Sequence, residues 1–567
     1  MPKTAKKIYD GLFISDLIII TIVMIAAFCL YGVPTFFTPD EGRYAEIARE
    51  MVISHNYLVP HLDGVVYFEK PPLIYWLTAF FLKLFGFNIW AARLVNPVLS
   101  LIGVIMVYWV TRLVFTNRRV ALWAALISGT SILYGIVGRY LSMDAGVSFF
   151  LTATMLCFWA SQKYPQHYLK SSIWLLFAFI FAGCAVMSKG LIGIVFPMMI
   201  IGIWVIVTGR WRLLGDIRLY LGLVIVAIIS VPWIPLVNQQ YPQFAYYYVV
   251  VQQILRYATD EQGREMSKLV YLGIFIFGFF PWYGFLPQAI KQGYIHFRQR
   301  TQYADDWFLL IWGASIFLFF AFSKSILAGY LAPTIVPFAI LMARHLDRII
   351  DRPVFSSATK ASIIAGIAFF ALLALASIIL PFIPQFFVYF PELSALFFPA
   401  AFICLIITIL SWIYLKRQNL KAIMMLFVIA MIFVLNLGYS GAQYFSQKSV
   451  KPLTTILKPL LKSHPQAVVA NFGGYFYDAP FYLNRLTWIV GFEGELKHSA
   501  TLANSGADET LKSTATFWKA WDSPKQVFVF MDDDKYQQYF ASGEKKGYLL
   551  GHTPKRYLLT NHTLSKT

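Results

Sequence analysis

Charge is scarce in this chain of 567 residues: Asp, Glu, Lys and Arg make up 13% of it, against 58% hydrophobic residues, and the mean hydropathy is +0.62. That excludes an ordinary soluble domain, in which about a quarter of the residues are charged. Cysteine is scarcer still. Cys29, Cys157, Cys184 and Cys404 all fall within apolar stretches, so neither a disulfide framework nor a thiolate metal site is expected, and they read as small buried apolar residues. Acids number 28 against 47 Lys and Arg, for a formal net charge of +19. The basic residues cluster in short loops between apolar runs, the pattern of membrane insertion, and this argues against a nucleic-acid partner. A cleavable leader is not expected either. Leu17–Leu30 is followed by Tyr31-Gly32-Val33-Pro34 rather than by small residues, so it reads as an uncleaved first span.

What the chain has in abundance is apolar runs of about 20 residues, the length that crosses a bilayer. They fall near 16–36, 92–112, 120–138, 143–161, 172–187, 190–208, 219–237, 269–289, 305–322, 326–343, 361–381, 395–415 and 421–439. Leu73–Phe85 is apolar but short. Alternate loops carry the bases, from Lys3, Lys6 and Lys7 through Arg112, Arg118 and Arg119 to Lys416, Arg417 and Lys421. By the positive-inside rule these loops and the N-terminus are cytoplasmic. Loops 37–91 and 238–268, and everything after 440, then lie outside. The expected architecture is a polytopic α-helical membrane protein of about thirteen spans over 1–440, followed by a small exterior α/β domain over 441–567. In that domain Ala467–Ala470, Thr487–Val490 and Gln526–Phe530 read as strands, Ser513–Trp521 as a helix and Lys555–Asn561 as a closing strand. Asn561-His562-Thr563 matches a glycosylation sequon, a pattern common by chance.

The chemistry is concentrated in the exterior loops, because charged groups beside a bilayer tend to be functional. Pro39-Asp40-Glu41-Gly42-Arg43-Tyr44 opens a segment of helical composition reaching Met51. Glu41 suits either a cap on the helix dipole or a site carboxylate. Arg43 and Arg49 suit either a site or lipid headgroups under an amphipathic helix lying on the membrane. In Glu69-Lys70-Pro71-Pro72 the prolines stiffen the backbone. Lys70 there suits a phosphate, and the alternative is interfacial anchoring with Tyr67, Phe68, Tyr75 and Trp76 as an aromatic belt. Asp144 returns to the exterior face at the start of the fourth span, either as a second site acid or as a helix N-terminal acid. Lys189, Arg256 and Lys324 add cations on that face. Together they make a basic pocket beside acids, suited to an anionic lipid that carries a transferable group.

These motifs resemble the aminoarabinose transferases of lipid A, membrane glycosyltransferases of the GT-C type related to protein O-mannosyltransferases. The resemblance rests on the run from Pro39 to Met51, Tyr67-Phe68-Glu69-Lys70-Pro71, Met187-Ser188-Lys189-Gly190, Leu255-Arg256-Tyr257-Ala258 and Gly329-Tyr330-Leu331-Ala332-Pro333. It extends to Phe517-Trp518 and Lys555-Arg556 in the exterior domain, and so covers essentially the whole chain. It implies thirteen spans, a periplasmic C-terminal domain and residence in the bacterial inner membrane. It also implies transfer of an amino sugar, such as 4-amino-4-deoxy-L-arabinose, from polyprenyl (undecaprenyl) phosphate to a lipid A phosphate. By position, Asp40 and Asp144 are the implied catalytic carboxylates, and Lys70 and Arg256 hold the donor phosphate. Glu41, Arg43, Tyr44, Glu69, Lys189 and Tyr330 line the cavity. The chain departs from the family at two places. Val251, Gln252 and Gln253 stand where a metal-binding histidine often lies, so no metal and no cofactor are expected. Ser325-Ile326-Leu327-Ala328-Gly329 replaces a Lys-Leu-Pro-Thr run before Tyr330.

The expected chemistry is a single displacement with inversion by a monomer surrounded by membrane lipids. A phosphate acceptor needs no general base, whereas a protein hydroxyl needs one, and Asp40 is the candidate. Transfer to a protein hydroxyl or another glycan is the alternative. A lipid flippase fits less well, since no paired internal repeat is apparent.

Overall fold

The computed structural model describes residues 3–255, 267–294, 297–323, 327–383, 394–445 and 448–563. Contacts divide the chain into two compact units. The first comprises Met1–Tyr31, Asn96–Pro232 and Val250–Gly441, and the second Gly32–Val95, Trp233–Val249 and Ala442–Thr567. Residues 37–91 and 238–249 therefore group with the C-terminal residues.

The first unit is helical. Among the described residues, eight helices are long and apolar enough to cross a membrane, and nine if Lys268–Gly278 and Trp282–Tyr294 form one span bent by 97°. Pro281 sits at that break, where it removes a backbone donor. The other apolar stretches are shorter or interrupted. Leu12–Phe28 and Ile192–Thr208 are short helices. The stretch expected near 120–138 is split at Ser131, whose ψ of 137° is extended, into Arg118–Thr130 and Ile132–Val137. The stretch near 326–343 begins as a 3-10 turn, Ala328–Thr334, before becoming the helix Ile335–Ile349. Helix Met143–Ser161 is the most enclosed of the candidate spans, 94% buried inside the protein. Any polar group on it is thereby held at a defined place.

The second unit is built on a small sheet. A two-stranded hairpin pairs β1 (His61–Leu62) with β2 (Val65–Val66). The main sheet contains β3 (Val468–Phe472), β4 (Trp488–Val490), β5 (Leu511–Lys512), β6 (Val527–Asp532), β7 (Tyr548–His552) and β8 (Arg556–Thr560), in the order β5-β4-β3-β6-β8-β7. The first four are parallel, and β8 and β7 close it antiparallel. The alternation of Val527-Phe528-Val529-Phe530-Met531 sends successive side chains to opposite faces. Phe528 and Phe530 pack with Leu453 and Leu457 of helix Lys451–Ser463 and with Val450 just before it. Val527, Val529 and Met531 pack with Phe517 and Trp521 of helix Thr514–Trp521, whose N-cap is Ser513. Strands and helix thus lie where the sequence pattern places them. Asn561 is committed to the fold, since its side chain accepts from the Val527 amide and donates to the carbonyls of Trp521 and Lys525.

Candidate active site

In the second unit helix Asp40–Ser54 begins directly after Pro39, with Asp40 and Glu41 in its first turn, where the helix dipole favours acids. Every residue from Glu41 to Met51 is buried. This corrects the expectation of an amphipathic helix on the membrane surface. Arg43 and Arg49 are 4% and 3% exposed and face carboxylates of their own unit rather than lipid. The aromatic belt is corrected likewise: Tyr67, Phe68 and Tyr75 are core residues.

Arg43 is the centre of a chain of polar contacts. Its Nη2 donates to Asp40 Oδ1 at 2.9 Å and its Nη1 to the Tyr67 hydroxyl at 3.3 Å. The same guanidinium pairs with Glu495 and lies against the rings of Tyr44 and Tyr477, 5.6 and 5.2 Å from their centroids. Tyr67 in turn donates to Glu69 at 3.3 Å. Lys70 is half-buried next to it, and helix Leu73–Phe85 starts immediately beyond Pro72, so the two prolines set the point from which Glu69 and Lys70 project. Burial pushes the Glu495 carboxyl up, as do Glu69 and Asp40, while Arg43 and Lys70 pull it down. Asp40, Arg43, Glu69, Lys70 and Glu495 are therefore one electrostatic group, in which low local dielectric strengthens each contact. Glu495 was not singled out in the sequence. Its signal was position, just past β4, at the carboxyl end of a parallel strand where α/β sheets place ligands.

Glu41 has a different setting. It is wholly buried and takes a two-pronged contact from Arg93 at 2.8 and 2.6 Å. It also accepts from the Phe37 amide at 2.8 Å.

A second acid cluster lies along the same helix. Arg49 donates to both oxygens of Glu46, at 2.7 and 2.5 Å. Glu50 accepts from the Gly64 amide, and Asp63 accepts from the amide and hydroxyl of Thr487. Asp63 and Gly64, with φ of 53° and 81°, form the tight turn between β1 and β2. Burial, and then Glu46, push the Asp63 carboxyl up to about 8, and burial also raises Glu50. The folded value of Asp63 thus exceeds its ordinary value of about 4. The folded state keeps a proton that the unfolded chain gives up, so this contribution to stability is complete below pH about 4 and declines as pH rises to about 8. Amide exchange of helix 40–54 and hairpin 61–66, corrected for intrinsic rates, is expected to rise between pH 6 and 9. Asp63→Asn should flatten that rise.

The first unit holds the other candidates. Asp144 stands in the first turn of the enclosed helix Met143–Ser161, and Lys189 ends helix Tyr168–Lys189. The Lys189 ammonium pairs with Asp144 and sits 3.9 Å from the ring centroid of Tyr330. Gly329 permits this approach: a Cβ there would stand 2.7 Å from Asp144 Oδ2. The group lines a small pocket together with the apolar residues Leu151, Ile192, Phe196 and Phe320. Gln253 accepts from the Leu191 amide at 3.1 Å, closing the turn that follows Lys189. Arg256 and Lys324 lie outside the described residues. Among the described residues no group of three or more His, Cys, Asp or Glu side chains is placed to hold a metal ion.

Comparison with known proteins follows the same lines. A family model described as dolichyl-phosphate-mannose-protein mannosyltransferase matches residues 14–248. The chain is 34% identical over 343 residues to a protein of Erwinia tasmaniensis named undecaprenyl phosphate-alpha-4-amino-4-deoxy-L-arabinose arabinosyl transferase, covering 60% of each chain. A protein of Edwardsiella ictaluri with the same name is 34% identical over 311 residues, 55% of each chain. The matched stretch thus spans less than two thirds of either relative. The crystal structure of ArnT from Cupriavidus metallidurans bound to undecaprenyl phosphate superposes with a TM-score of 0.83 at 23% identity, covering 98% of both chains. Its apo form gives 0.81 at 24% identity, and the two together show that the fold is shared from end to end. Over part of their length the chain is thus similar in sequence to proteins named as aminoarabinose transferases, and it shares its fold with ArnT.

Proposed function

We propose that this protein transfers an amino sugar, 4-amino-4-deoxy-L-arabinose or a close analogue, from a polyprenyl phosphate to a lipid A phosphate. The relatives from Erwinia and Edwardsiella bear the name of that donor, and a structure of this fold was solved with undecaprenyl phosphate bound. The observation that carries the reading is the group around buried Arg43, in which Asp40, Glu69 and Glu495 gather beside Arg43 and Lys70. As the sugar leaves, positive character grows at its anomeric carbon and negative charge on the phosphate. Lys70 and Arg256 stabilise the phosphate, and Asp40 stabilises the sugar and pairs with its amino group. Asp144, gripped by Lys189, orients the donor, and Glu41, Tyr44 and Tyr330 shape the surroundings. An acceptor phosphate is already an anion, so inversion by direct displacement needs no base. The protein resides in the bacterial inner membrane as a monomer, with its N-terminus cytoplasmic and its C-terminal domain periplasmic.

The test is purified protein given the lipid-linked amino sugar and lipid A, with products read by mass spectrometry. A pentosamine increment on lipid A supports the reading, and none refutes it. Because side-chain cations meet the phosphate, no metal is required, and a chelator such as EDTA is expected to leave turnover unchanged within about twofold. Transfer to a protein hydroxyl is the second reading, favoured by the family model over 14–248. A labelled peptide in place of lipid A separates the two.

A further inference from the structure

Arg93 ends the short helix Ile89–Arg93 and is fully buried. Four of its N–H groups are accounted for. Nε and one Nη2 hydrogen go to the two oxygens of Glu41, Nη1 goes to the Pro34 carbonyl at 2.8 Å, and the other Nη2 hydrogen goes to the Thr35 carbonyl at 2.8 Å. The guanidinium also lies over the rings of Phe36 and Phe37, at 5.5 and 5.7 Å. Glu41 completes the loop by accepting from the Phe37 amide. One side chain thus holds the strand of chain that leads into helix Asp40–Ser54 and the first turn of that helix together. Asp40 precedes Glu41 in that turn, and its side chain is 40% exposed.

A buried ion pair contributes little net stability compared with an apolar pair of the same size. What a planar fork with five donors supplies is direction, which a lysine cannot reproduce. We infer that Arg93, acting through Glu41, is a positioning residue for Asp40: it fixes the angle at which the Asp40 carboxylate meets the sugar. This rests on the transferase reading given above.

A double-mutant cycle tests it in the full-length protein in detergent, with turnover normalised to folded protein. Asp40→Asn and Arg93→Lys are made singly and together, and kcat and donor KM are measured with the polyprenyl-phosphate amino sugar and lipid A. If Arg93 acts through Asp40, Arg93→Lys lowers kcat about 10- to 100-fold with donor KM changed less than about threefold. The same change made on Asp40→Asn then costs less than about threefold more, because the two effects do not multiply. Multiplying effects, or an Arg93→Lys protein as active as wild type, overturn the inference while leaving the transferase reading intact. No transfer by wild type overturns that reading and the inference with it. Should Arg93→Lys not fold, Glu41→Gln, which keeps the shape of the side chain, takes its place in the cycle with the same expected pattern.

Discussion

Asp40→Asn is expected to lower turnover about 10²- to 10³-fold while leaving the protein folded, the loss usual when a group aimed at developing charge is removed. The two halves of that expectation have separate causes. Asparagine has the same shape, and the Asp40 side chain is 40% exposed, so losing its contact with Arg43 costs about 1 kcal/mol or less. The melting temperature in detergent should therefore barely move. Turnover should fall because the amide carries no charge to set against the positive character of the departing sugar. If the variant retains turnover within about threefold of wild type, Asp40 has no such role. Comparing donors with and without the sugar amine divides the loss further. A donor lacking the amine should suffer less from the substitution, because one of the two interactions assigned to Asp40 is then already absent.

The second large effect falls on stability. In an isolated helix Gly42→Ala would stabilise by about 1 kcal/mol, since alanine is the better helix former. In this protein a Cβ at position 42 would stand 2.8 Å from the Asp478 amide nitrogen, 2.9 Å from the Tyr477 carbonyl carbon and 3.0 Å from the Asp478 Cα. All three are backbone atoms, which cannot turn aside as a flexible side chain would. Overpacking of this kind costs about 1–3 kcal/mol, and here it lands on a wall that supplies much else. Tyr477 stacks on Arg43, and buried Asp478, pushed up to about 6 by its burial, accepts from the Ser449 hydroxyl and the Val450 amide. Gly42→Ala is thus expected to lower the melting temperature and speed amide exchange in helix 40–54. Turnover should fall too, as the helix start bearing Asp40 shifts. A variant at least as stable as wild type would show that helix propensity, and not the tertiary contact, decides this position.

Much of the architecture was legible because it depends on local physics. Long apolar runs announce membrane-spanning helices, and the alternation in Val527–Met531 announces a strand with two covered faces. What resisted reading was continuity. Nothing in the composition of 120–138 warns that Ser131 interrupts it. Asp40, Lys70 and Asp144 stood out as charge in an apolar context, and their motifs matched a family. Glu495 and Arg93 did not stand out, since each is an unremarkable residue until something distant is folded against it.

The helix at 40–54 shows where the division falls. By itself the sequence determined that these residues form a helix with two acids at its start, because propensity, the preceding proline and the helix dipole all act within a few residues. Only the tertiary structure decided that the helix is interior and that Arg43 and Arg49 meet carboxylates instead of lipid. It alone decided that Glu41 grips Arg93, 52 positions away in the chain, while the side chain of neighbouring Asp40 pairs with Arg43 and stays 40% exposed. An amphipathic pattern says that one face is polar. Whether that face meets water, lipid or a buried counter-charge depends on what the rest of the chain brings to it, and burial makes that choice costly to get wrong.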